Sequence, residues 1–143
     1  MTTKDTNSLN IKNMRIAYIV HPISGDVYGN IQKILKIVKE INLNKPDVVP
    51  FVPYLADLLA MDDNKPEERE RGIDNDIAIL GSRMVDELWV FGHRISNGME
   101  AEIKLALELN IPILIMDPDL VWPKWLQRIG IPGLQDRAPI FEL

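Results

Sequence analysis

The chain of 143 residues has no cysteine. That excludes disulfides and every metal site built on thiolates. Histidine is almost as scarce. The two present, His21 and His93, stand far apart with no metal-ligand spacing around them. No apolar run approaches the ~20 residues that a membrane-spanning helix needs. The opening stretch, MTTKDTNSLNIKN, lacks the apolar centre of a signal peptide and reads as a polar arm over residues 1–13. A basic surface is missing too. The formal net charge of -5 argues against binding a nucleic-acid polymer, although one bound nucleotide needs only local donors. A cytoplasmic protein is expected.

What is present is ordinary for a globular domain: 46% hydrophobic and 26% charged residues in a chain long enough to bury a core. Met14 to His21 is a nearly continuous apolar run, suited to a strand covered on both faces. Turn formers follow from Pro22 to Asp26. Ile31, Ile34, Leu35, Val38 and Ile41 then recur at helical spacing, predicting a helix over about 29–42 with Lys33, Lys36 and Lys39 on its wet side.

Asp47 to Val52 is a shorter apolar run interrupted by prolines, which fits an edge strand. A short helix is expected over 54–61. A longer one starts at Pro66 and reaches about Met84, with Ile73, Ile77, Leu80 and Met84 on one face. Asp86 to Gly92 reads as the third strand, Gly98 to Asn110 as the next helix and Ile111 to Met116 as the fourth strand. Alternation of this kind predicts a single-domain, doubly wound α/β fold, flavodoxin- or Rossmann-like. Its mostly parallel sheet has four to five strands in the order 2-1-3-4, helices on both faces and a core domain over 14–116. The extension over 117–143 is rich in proline and apolar side chains, including Trp122, Trp125, Ile129, Ile131, Leu134, Ile140 and Phe141. It packs on the domain or forms a subunit interface.

In that strand order the ligand crevice opens between the loops after the first and third strands. Those loops hold His21, Ser24 and Gly25 on one side, and His93, Arg94, Ser96, Asn97 and Gly98 on the other. Each leads to a helix N-terminus, where backbone amides and the helix dipole suit an anion. Arg94 is the cation best placed to meet one, ahead of Arg69, Arg71 and Arg83. Turn chemistry alone explains the same composition equally well.

Glu102 is more informative. Glu100, Lys104 and Glu108 form a solvated helix face, and Asn97 before Glu100 suggests an N-cap with a capping box. Glu102 lies off that face, among Met99, Leu105 and Ala106, with no cation in reach along the helix. Such a carboxylate is either a partly exposed edge residue or part of a site. Placed in the first turn, it would be kept ionised by the dipole. Asp76 and Asp74, on the preceding helix, raise the same question. Tyr18, Trp89 and Phe91 read as core.

The run Ser96 to Ile113 has the form S-x-G-x-x-x-E-I-x-x-A-x-x-x-x-I-P-I. It resembles the active-site segment of the nucleoside 2-deoxyribosyltransferase-like superfamily. That group includes deoxyribonucleoside 5'-monophosphate N-glycosidases and many uncharacterised, often phage-encoded, small domains. His21-Pro22-Ile23-Ser24-Gly25 resembles the superfamily's first-strand motif, commonly G-P-x-S-G. The resemblance implies that Glu102 is a nucleophile that expels the base from a nucleoside or nucleotide. It also implies that Asp76 serves the leaving base, although its spacing to Ser96 is slightly long and Asp74 remains an alternative. Ser96 and Gly98 would face sugar and phosphate, with Ser24 and Gly25 opposite. It implies no cofactor and a homodimer or higher homo-oligomer. His21 departs from the usual small residue, and Met99 from the threonine or valine common in the transferases. A binding protein that kept the pocket and lost the chemistry, acting as a sensor or sponge, is the alternative.

Overall fold

The computed structural model describes residues 13–117 and 119–121, together with the backbone of a strand over 134–136. Most of the expected N-terminal arm and of the extension, including its two tryptophans, lies outside the described residues. Strand β1 (Arg15–Val20) leads to helix α1 (Val27–Asn44), β2 (Val48–Phe51), the short α2 (Leu55–Ala60) and α3 (Pro66–Gly81). These are followed by β3 (Glu87–Val90), α4 (Asn97–Glu108), β4 (Ile113–Ile115) and β5 (Leu134–Asp136). The five strands form one parallel sheet in the order β2-β1-β3-β4-β5. This is the expected α/β fold and strand order. The fifth strand extends the sheet beyond β4.

Two-residue alternation sorts β1 between two apolar layers. Ala17 and Ile19 join Ile37 and Ile41 of α1 in one layer, with Trp89, Phe91 and Leu114. Tyr18 and Val20 face the other way, into a layer containing Leu80 of α3 and Met99, Ile103 and Ala106 of α4. Each fully buried isoleucine in such layers contributes roughly 1.5–3 kcal/mol through removal from water. No helix among the described residues is long and apolar enough to cross a membrane.

The helices differ from the sequence reading in detail. Helix α1 buries Ile31, Ile34, Ile37 and Ile41, while Leu35 is exposed. Its start is set by Asp26, whose carboxylate accepts from the Gly29 amide at 3.0 Å. Helix α3 stops at Gly81, because Arg83 adopts a left-handed backbone (φ 64°) and leaves Met84 exposed. Its buried residues are Asp76 and Leu80, with Ile73 and Ile77 only half-buried. Helix α4 is capped by Ser96 and not by Asn97. The Ser96 hydroxyl accepts from the Met99 amide at 3.3 Å, and the Met99 sulfur accepts from the Ser96 amide. Glu102 is thereby the sixth residue of the helix, beyond the first turn.

The loops after β1 and β3 are fastened to each other at the switch point of the sheet. Arg94 of the second loop donates to the Ser24 carbonyl of the first at 3.3 Å, and Asn30 of α1 holds the first loop through the Ile23 carbonyl at 2.8 Å. Gly92 ends β3 with φ 94°, and a Cβ there would lie 2.8 Å from Cδ of Pro22. Both the backbone conformation and the close approach require glycine. Gly92→Ala is expected to cost about 1–3 kcal/mol, read as a lower midpoint in urea unfolding at unchanged slope.

Candidate active site

Four elements converge at the C-terminal end of β1. Tyr18 is fully buried in that strand, and an aliphatic side chain there would be the ordinary choice. A buried tyrosine hydroxyl needs a partner. It finds one in Glu102, to whose Oε2 it donates a hydrogen bond from the strand to helix α4. The ring stands edge-on to Phe51, with centroids 6.3 Å apart, and tilted against Tyr54 at 6.0 Å. Tyr54 is itself anchored, its hydroxyl donating to the Ile19 carbonyl at 2.7 Å. Of these aromatic groups Tyr54 lines a cleft whose empty space, mouth included, is about 700 Å³, and Tyr18 reaches it only through Glu102.

Glu102 and Asp76 both line this cleft, each with 8% of its surface exposed. Asp76 comes from α3, which packs against α4 on the same face of the sheet. Its Oδ1 is buried without a hydrogen-bond partner among the described residues. Burial, with the negative charge of Asp57 beside it, pushes the Asp76 carboxyl up to about 7. Burial also pushes Glu102 up to about 8, against the pull of the Tyr18 hydrogen bond and with a further push from Asp76. The expectation that the helix dipole keeps Glu102 ionised therefore fails. Residue 102 lies beyond the helix's first turn, where that field is strongest, and desolvation dominates. Burial and the two neighbouring acids push the Tyr18 hydroxyl upward as well, so it keeps its proton and can donate it to Glu102.

Of the other residues drawn from the sequence, His21, Ser24, Ser96 and Gly98 line the cleft. Gly25, Arg94 and Asn97 do not. Gly25 is an exposed turn residue at φ 97°. Arg94 is exposed and donates one hydrogen bond to the Ser24 carbonyl at 3.3 Å, and Asn97 opens α4 on its exposed side. His93 is exposed and outside the cleft, whereas Asp74 is exposed and Asp76 buried, which separates those two aspartates. His21 is buried, with Nδ1 donating to the Pro22 carbonyl at 2.7 Å. Desolvation pushes its pKa down, so the ring is neutral.

The structure adds residues that sequence reasoning missed. Tyr18 is the chief of them, and its signal was a hydroxyl in an otherwise aliphatic buried strand. Tyr54, Asp57, Asp62, Asp63 and Glu68, unlike Tyr18, line the cleft itself. They belong to the weakly patterned stretch from the end of β2 into the first turn of α3, where nothing in the spacing marks a site. Among the described residues no cluster of acids and histidines could hold a metal ion.

Residues 15–116 match the sequence profile of a family described as a domain of unknown function, DUF7768. The chain belongs to that family. The DUF7768 segment contains β1 to β4 and every residue of the cleft described above. No functionally curated protein matches the chain in sequence. A solved structure, the crystal structure of a conserved protein from Enterococcus faecalis V583, is similar at 17% identity. The match covers 82% of this chain and 73% of that one, with a TM-score of 0.49.

The two raised carboxyls make stability depend on pH. Glu102 and Asp76 keep their protons to higher pH when folded than their ordinary values of 4.5 and 3.8. The folded state therefore binds more protons than the unfolded state across this window. The stability they contribute is full in acid and is lost as pH rises towards 7 and 8. Glu102→Gln keeps an acceptor for Tyr18 and cannot ionise. Its unfolding free energy should fall less between pH 5 and pH 8.5 than that of the wild type, by on the order of a few kcal/mol in paired urea titrations.

Proposed function

We propose that this chain is a cytoplasmic N-glycosyl hydrolase or deoxyribosyltransferase, cleaving the bond between base and sugar in a nucleoside or nucleotide. One observation carries the reading: Glu102 and Asp76 meet in a single cleft, with Glu102 held by Tyr18. Their motif's similarity to the nucleoside 2-deoxyribosyltransferase-like active-site segment supplies the chemistry.

In the first step the Glu102 carboxylate attacks the anomeric carbon as the bond to the base breaks. The electron pair leaves on the base nitrogen, which takes a proton from Asp76. In the second step a water, or the ring nitrogen of an incoming base, gives its proton to Asp76 and attacks the same carbon. The bond to Glu102 breaks and the carboxylate returns. Both steps pass through an oxocarbenium-like state, which a nearby carboxylate stabilises. Tyr18 fixes the direction of the Glu102 carboxyl and favours its ionised form by donating to it. A retained sugar configuration follows from two displacements.

A second reading has its own support. Near neutral pH the Glu102 carboxyl, pushed up to about 8, mostly keeps its proton. A neutral acid binds by hydrogen bonding and is a poor nucleophile, as suits a protein that holds a ligand without cleaving it. Incubation with deoxynucleosides and their 5'-monophosphates, followed by chromatography for free base, separates the two. Base release that falls at least ~10³-fold in Glu102→Ala and ~10²-fold in Asp76→Asn supports catalysis. Unchanged release from Glu102→Ala would remove the nucleophile from the proposal, and tight binding without release would favour the binding protein.

The active form needs Glu102 ionised while Asp76 is protonated, the less populated arrangement of a pair titrating near 7 and 8. kcat/KM should therefore be bell-shaped with limbs in that region. Tyr18→Phe removes the interaction that lowers the Glu102 pKa. Its alkaline limb should move to higher pH and its maximum should drop, whereas a purely structural role for Tyr18 would leave the limbs in place. The chain is also expected to be a homodimer or larger in solution, because members of the resembled superfamily complete their sites from a neighbouring subunit. A monomeric mass by light scattering would count against that.

A further inference from the structure

The wall of the cleft bears on whether a substrate with a 5'-phosphate is accepted. From α2, through the loop after it, to the first turn of α3, it is lined by Asp57, Asp62, Asp63 and Glu68. Arg69 is the one lysine or arginine among the described lining residues. Lys65 partly offsets Glu68, at 3.7 Å. Asp57 is not offset: it accepts from the Asn75 amide, and its charge is felt at Asp76. A cleft with this wall repels anions before any contact is made.

Arg69 offsets one of these charges, and the other groups that would counter the repulsion lie outside the cleft or already hold a partner. Arg94 lies outside the cleft and donates to the Ser24 carbonyl. The N-terminus of α4 offers the equivalent of roughly half a positive charge, and Ser96 already occupies the Met99 amide there. Lys33, whose charge reaches His21, is exposed on α1 and does not line the cleft.

His21 adds an independent preference. It is more than nine-tenths buried, and the Pro22 carbonyl, which only accepts, fixes the proton on Nδ1. In the neutral ring Nε2 is then a bare acceptor, with no hydrogen-bond partner among the described residues. An acceptor in the cleft lining suits a donor such as a sugar hydroxyl. A phosphate dianion presents only acceptors to it.

We infer that the cleft takes an uncharged nucleoside, its hydroxyls donating to His21, and turns away the same nucleoside carrying a 5'-phosphate. This rests on the reading of the cleft as a nucleoside site. It is tested with the full chain by calorimetry on the four common deoxynucleosides and their 5'-monophosphates, at low and high salt, with base release measured in parallel. The nucleoside should bind at least ~10-fold more tightly than its monophosphate at low salt, and the ratio should shrink as salt screens the wall. The double variant Asp62→Asn, Asp63→Asn should narrow the ratio mainly by improving the monophosphate. Nucleoside preference in binding without release of base would uphold this selection and sink the catalytic proposal. Equal or tighter binding of the monophosphate would overturn the selection, even where base is released. Failure of both ligands to bind would overturn it too.

Discussion

A single hydrogen bond, from the Tyr18 hydroxyl to the Glu102 carboxyl, ties the middle of the sheet to the helix that crosses it. Neither group could be buried alone without a cost of a few kcal/mol. Together they convert two liabilities into a fixed distance between β1 and α4. The strand cannot slip by one residue, because that would carry Tyr18 to the face occupied by α1 and leave Glu102 unpaired. The helix cannot rotate for the same reason. The apolar neighbours Met99, Ile103 and Ala106 define which face of α4 is buried, and the polar bond defines its orientation over Tyr18.

That bond does not discharge the site. Glu102 is pushed up to about 8 even with the hydroxyl in place, and Asp76 to about 7 with a buried oxygen left without a partner. A fold under selection for stability alone has simpler fillings for both positions, such as leucine and asparagine. Two carboxyls that titrate near neutrality allow one to be ionised while the other holds a proton, and a two-step displacement asks that of its nucleophile and its acid. The same arrangement holds most of the population in the unproductive state near neutrality, so the binding reading retains physical support.

Much of the fold was legible in the sequence because it rests on periodicity. Continuous apolar runs in β1, β3 and β4 and helical spacing between them lead to the parallel order observed, within a few residues at each end. Glu102 was legible for a related reason: it breaks the solvated pattern of Glu100, Lys104 and Glu108. The misses have a common cause in side-chain contacts that cross the sheet. Ser96 and Asn97 are both good N-cap residues, and only the position of Met99 decides between them. Arg94 looked like an anion ligand by place in the chain, yet its guanidinium reaches a backbone carbonyl 70 residues away. Tyr18 read as core, and it is core; its partner lies 84 residues on, beyond the reach of any local pattern.

The acidic wall sets the backbone of this site against its side chains. A loop and a helix N-terminus at a topological switch point invite an anion on backbone grounds. The side chains brought there by the segment between β2 and α3 answer with carboxylates. Backbone features of this kind come with the fold, whatever its ligand, while the wall is specific to this sequence. Where the two disagree, the side chains decide. A helix terminus contributes about half a unit charge, whereas each aspartate contributes a full one inside a partly desolvated cleft. Charge at the wall and an acceptor at His21 then point the same way, towards a ligand that donates hydrogen bonds and carries no negative charge.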